Sequence, residues 1–124
     1  MPSPEPSHHG GVFDLEAIDG EMRQDGAYER GGHTARTLVH APDLRVLLIV
    51  MKAGSRIAEH RANETAAIHT ISGHVRLRLP DRTVELPAGH LLALEPGIQH
   101  DVEAAVDSAV VLTLGWHTDS KAVV

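Results

Sequence analysis

The sequence predicts an all-β protein of one domain, a sandwich or barrel built from many short strands. Three observations carry that expectation. From Thr34 onward, short apolar stretches alternate with Pro-, Gly- and Asp-rich turn signals. The length of 124 residues suits a single hydrophobic core. Aromatic residues make up only 2% of the chain, namely Phe13, Tyr28 and Trp116, so the core must be packed from Leu, Val, Ile and Ala.

Each element can be justified in order. Residues 1–11, rich in Pro, Ser, His and Gly, read as a disordered tail, residues 12–118 as the folded domain and 119–124 as a loose end. Within Val12 to Arg30 a short helix is expected, with Asp14 as its N-cap and Leu15, Ile18 and Met22 at helical spacing; Gly31-Gly32 ends it. Arg36 to Val39 is the first strand. Leu44 to Lys52 follows the Pro42-Asp43 turn, and its unbroken Leu, Val and Ile predict burial on both faces. Ala67 to Ile71 is extended. Val75, Leu77 and Leu79 alternate with His74, Arg76 and Arg78, which predicts a half-buried strand with the arginines in water. Thr83 to Leu86 returns from a turn at Pro80-Asp81, and His90 to Leu94 is the next strand. Pro96-Gly97 suits the centre of a type II turn. After it, Ile98, His100 and Val102 share a face, and Ala109 to Trp116 closes the set as a buried strand.

Composition narrows the function classes. The net charge of −6 comes without a basic stripe, which argues against nucleic acid or anionic membrane as a partner. The scarcity of aromatics argues against base-stacking platforms. With no cysteine, disulfides, thiolate metal sites and a cysteine nucleophile are excluded. No apolar run is long enough for a helical membrane span, and the N-terminal residues lack the pattern of a secretory signal, so a cytoplasmic location is expected. Ten histidines are many for this length. His8 and His9 fall in the tail, while His33, His40, His74, His90 and His117 read as surface residues at strand ends or polar faces.

Two spaced patterns carry more. Gly54 is followed by His60, Ala62, Glu64, Ala66 and, at the far end, Gly73; later Gly89 is followed by Glu95-Pro96-Gly97-Ile98-Gln99-His100. This resembles the two motifs of the cupins, in which a glycine precedes H-x-H, a glutamate and a second glycine, and a later glycine precedes P-x-G-x-x-H. The resemblance covers residues 34–117 and implies a double-stranded β-helix, or jelly-roll, barrel of RmlC-like type. It looks closest to small single-domain bacterial cupins with an incomplete metal-ligand set, which generally form homodimers through their sheets.

In that family both motif-one histidines, the glutamate and the motif-two histidine bind a divalent metal. Here His60 and His100 match the first and last, whereas Ala62 and Ala66 occupy the other two positions. Ala104 stands at the final asparagine position and Glu95 at the motif-two proline. Alanine offers no lone pair, and catalytic zinc ordinarily keeps three protein ligands. Glu64 is the best candidate third ligand, giving two histidines and one carboxylate. His69 differs in strand parity from position 66 and should face away. The favoured expectation is therefore a small-molecule binding module whose pocket is lined by His60, His100, Ala62, Ala66 and Ile98, without an assured cofactor. Two alternatives stay open. One is a metal-dependent cupin enzyme, such as a dioxygenase or isomerase holding iron, zinc, manganese or nickel through His60, His100 and Glu64. The other is a metal-free enzyme using the two histidines as acid and base.

Overall fold

The computed structural model describes residues 10–60 and 63–115, with the backbone alone for Glu59 and His60. The single helical stretch expected before Gly31 is two helices, α1 (Leu15–Met22) and α2 (Gly26–Gly31). Asp14 caps α1, its side chain accepting from Ala17 N at 3.1 Å. The break follows from a second capping residue: Asp25 accepts from Ala27 N at 2.9 Å and starts a new helix. Gly32, at φ 82°, ends α2 in the left-handed conformation and donates its N–H to Tyr28 O.

Among the described residues nine strands follow: β1 (His33–His40), β2 (Leu44–Met51), β3 (Arg56–His60), β4 (Ala66–Ser72), β5 (His74–Arg78), β6 (Thr83–Pro87), β7 (Leu91–Leu94), β8 (His100–Ala104) and β9 (Ser108–Gly115). Only β3 was absent from the sequence expectation. Its single large apolar residue, Ile57, sits among Arg56, Ala58 and Glu59, too thin a pattern to register as a strand. The strands form two antiparallel sheets, one ordered β1-β2-β9-β4-β7 and the other β3-β8-β5-β6. This is the expected cupin-type jelly roll.

The residues between the sheets form the main core. The larger sheet contributes Met51, Ala66, Ile68, Leu94 and Val110, the smaller Val75, Leu77, Leu86, Val102 and Ala104. A second core lies on the outer face of the larger sheet, where Ile18, Met22 and Tyr28 of the helices pack on Leu38, Leu48, Val50 and Ala109. That layer explains the unbroken apolar run of β2: Ile49 and Met51 face the inter-sheet core, and Leu48 and Val50 face the helices. The outer face of the smaller sheet is charged. Arg76 lies 2.8 Å from Glu85 and 3.6 Å from Glu103, and Arg56 lies 2.6 Å from Asp101. Arg76 and Arg78 thus point to water, as their alternation with Val75 and Leu77 required. The domain bounds drawn at residues 11 and 118 fall beside or within the segments 1–9 and 116–124, which lie outside the described residues.

Candidate functional site

Strand register creates a cavity at one end of the inter-sheet core. Across the larger sheet, His33 pairs with Met51 and Ala35 with Ile49, and Ile49 in turn pairs with Val110. Residues directly opposite in an antiparallel pair share a face, so these side chains form a continuous inner wall. Across the smaller sheet, Ile57 pairs with Val102 to form the facing wall. The cavity between these walls measures about 280 Å³ and, among the described residues, is lined by His33, Ala35, Ile49, Met51 and Ile57, then by Ile68, His100, Val102, Val110 and Leu112. Eight of these ten residues are aliphatic or Met, and none carries a permanent charge.

Two imidazoles supply the polarity. His100 opens β8, immediately after the Pro96-Gly97 turn, and is 4% exposed. Its Nδ1 lies 3.0 Å from Ile98 O. Because a carbonyl can only accept, that geometry places a proton on Nδ1, and in the neutral ring it makes Nε2 an acceptor. His33 opens β1, directly after the left-handed Gly32. Its Nδ1 is buried and has no hydrogen-bond partner, a cost of roughly 1–3 kcal/mol for a polar atom removed from water.

The residues singled out from the sequence are distributed as follows. His100 lines the cavity. The backbone of His60, at the end of β3, pairs in register with His100. Ala62 lies outside the described residues. Ala66 is buried in the inter-sheet core, and Ile98 packs against that core from the loop before β8. Glu64 is half-buried in the bend between β3 and β4 and does not line the cavity. His69 pairs with Leu91 and Val111 on the helix-side face of the larger sheet, the orientation its parity required. His33 departs from its surface reading. Taking β1 only from Arg36 hid it; extending the strand three residues back, to His33, puts positions 33 and 35 on one face.

A resident metal needs several converging donors. Among the described residues no three His, Cys, Asp or Glu side chains are grouped to hold an ion. At the glutamate position of the motif, Ala66 presents a buried methyl group, 3% exposed. The donors among the described residues therefore do not make up a metal centre, and the side chain of His60 lies outside them.

A family profile described as the AraC-like ligand binding domain matches residues 45–117. Among curated proteins none matches the sequence. Several solved structures share the fold. A conserved Streptococcus pyogenes protein of unknown function superposes with a TM-score of 0.70 at 20% identity, covering 96% of this chain and 98% of its own. A cupin superfamily protein from Desulfitobacterium hafniense gives 0.72 at 9% identity, covering 94% and 100%. Salicylate 1,2-dioxygenase from Pseudoaminobacter salicylatoxidans, in its gentisate adduct, gives 0.78 at 16% identity; the match covers 92% of this chain but 35% of the dioxygenase.

Proposed function

The chain belongs to the AraC-like ligand-binding domain family, and from that premise we propose that it is a small-molecule binding module. The observation that carries this reading is the cavity of about 280 Å³ between the sheets, whose described lining is aliphatic side chains and Met with two polar residues, His33 and His100. Apolar concavities with a few placed polar groups are the usual form of small-ligand sites. Ala62 and Ala66, which offer no lone pair at two of the four ligand positions of the motif, favour binding over metal-dependent turnover.

The test is a thermal-shift screen of small metabolites against the wild type and Ala35→Phe, a substitution that fills the cavity from β1. A compound held at 100 times its Kd stabilises the folded state by about 2.7 kcal/mol. For a chain of this size that is a Tm rise of several degrees, expected in the wild type and absent in Ala35→Phe. Metal analysis of protein made without an affinity tag provides the opposing result. About one ion per chain, lost in both His60→Ala and His100→Ala, would replace the binding module with the metal-dependent reading.

We also infer a homodimer formed through the larger sheet. Its outer face carries an uncharged row across all five strands, Val39, Val46, Thr113, Ala67 and Ala93, joined by strand register. Leu91 beside it is 60% exposed. Of that row Ala93 is exposed and the others are half-buried, and apolar surface left open on a sheet face is characteristic of interaction faces. Sedimentation of the wild type and Ala93→Arg tests this: a dimer converted to a monomer by the arginine is the expected outcome, and a wild-type monomer refutes it.

A further inference from the structure

We propose a second ligand site, on the outer face of the smaller sheet, that grips a carboxylate or phosphate group between Arg56 and Arg78. It lies on the opposite face of that sheet from the inter-sheet cavity and stands independently of the function proposed above.

The site follows from strand order. β8 runs between β3 and β5. Asp101 of β8 is directly opposite Arg78 of β5, and Arg56 of β3 is opposite Glu103, the next position of β8 on the same face. Alternation sends His100 and Val102 to the inter-sheet cavity and Asp101 to the outer face. A concavity of about 270 Å³ opens there, lined among the described residues by Arg56, Arg78, Leu79, Pro80, Gln99 and Asp101.

Each charged member has a distinct part. Asp101 is 5% exposed although it belongs to the solvent side of the sheet. Its Oδ2 accepts from Arg56 Nη2 at 2.6 Å. A nearly buried carboxylate holding one nitrogen fixes the direction of the guanidinium and leaves its remaining N–H donors for a ligand. Arg78 has no such clamp. Its nearest carboxylate among the described residues, Glu103, is 4.0 Å away, beyond hydrogen-bonding distance, and lies closer to Arg76, at 3.6 Å. The Arg56 and Arg78 side chains are 50% and 54% exposed, so a ligand reaches both from solvent. Asp101 offsets the charge of Arg56, and the charge of Arg78 remains for an entering anion. The planar fork of arginine matches paired carboxylate or phosphate oxygens, and these charge-assisted bonds are stronger than neutral ones. Leu79 and Pro80 add an apolar wall on which a small organic body attached to the anion packs.

The experiment is an amide NMR titration of the full chain at about pH 7, where carboxylates and arginine are ionised, with ionic strength held constant. The probes are benzoate, phenyl phosphate, benzyl alcohol and benzylammonium, which share a ring and differ in the head group. Benzoate and phenyl phosphate are expected to shift the amides of Arg78, Leu79, Gln99 and Asp101, and the tighter of the two identifies the anion. The alcohol and the ammonium should leave those amides unmoved. Arg78→Gln should weaken both anions about tenfold or more, the span of one charge-assisted hydrogen bond. Arg78→Lys, which keeps the charge and loses the fork, should fall between. Arg82→Gln removes an equal charge from the neighbouring turn, outside the concavity, and should change little. The spectra themselves show whether each variant is folded. Anion-induced shifts that miss these amides would overturn the site. Equal losses in Arg78→Gln and Arg82→Gln would overturn it too, because the attraction would then be diffuse. Binding of the alcohol as tight as that of the anions, or tightest binding by the ammonium, would overturn the ligand class.

Discussion

Gly73 is the residue at which the fold is least forgiving. It sits at φ 80° between β4 and β5, and a Cβ placed there would collide with Asp107 O and Ser108 Oγ and come within 2.8 Å of Ser108 Cα. Ser108 cannot yield. It is fully buried, and its hydroxyl accepts from His74 N at 3.0 Å and donates to Val106 O at 2.7 Å. Gly97 also has a positive φ, of 82°, but a Cβ there meets open space. Gly97→Ala should therefore cost about 1 kcal/mol for left-handed backbone alone. Gly73→Ala adds overpacking against a rigid neighbour and should cost about 2–4 kcal/mol. Urea unfolding of both variants checks the difference, and equal losses would mean that the crowding around Gly73 is relieved by a small backbone shift. Both glycines were legible in the sequence, because turn positions with positive φ favour that residue whatever the family. His33 was not. A lone histidine after two glycines carries no signal until β1 is known to begin there and to pair with β2.

At the scale of elements, the sequence is clear where apolar residues alternate or run unbroken and blurred where a strand is short and polar. The alternation of β5 gives both position and face, and the solid apolar run of β2 gives position and burial on both faces. β3 escaped because its pairing with β8, not its composition, makes it a strand. The helices show the same contrast. Asp14 and the spacing of Ile18 and Met22 announce α1, but only the structure shows what α1 covers. Met22, 1% exposed, is seated on the outer face of the larger sheet with Leu48, Val50 and Ala109. If α1 is part of the folding unit, Met22→Ala should cost about 2–5 kcal/mol, as for other large core truncations. Asp14→Ala, which removes one exposed capping bond, should cost about 0.5–2 kcal/mol. Chemical denaturation should then remain a single transition in both. A separate early transition in Met22→Ala, with the later midpoint unchanged, would show that the helices are a detachable layer and that the jelly roll stands without them.

For the whole molecule, the two faces of the smaller sheet divide the work between packing and charge. Its inner face contributes half the main core, and its outer face turns a chain of net charge −6 into a local lattice of opposite charges. Glu85 is the point where that lattice meets pH. His74 Nε2 donates to one carboxylate oxygen at 2.6 Å and Arg76 Nε to the other at 2.8 Å, and these two bonds hold the Glu85 carboxyl below the ordinary glutamate range. A carboxyl whose folded value is depressed gives stability that is fully present above its unfolded value. That stability is lost as the pH falls through the folded value. Since an unperturbed glutamate titrates near pH 4.3, the contribution of Glu85 should be constant from neutrality to about pH 5 and fade below it. Exposed pairs of this kind are individually weak, so the pH profile is more telling than the size of the effect. The Tm of Glu85→Gln should lie slightly below that of the wild type at pH 7, and the two curves should converge as the pH falls from about 4.5 to 3. Adding salt at pH 7 should narrow the same gap, because exposed charges are screened. Curves that instead separate further on acidification would mean that the protonated carboxyl makes the stronger contribution, and the charge lattice would then play no part in the stability of this face.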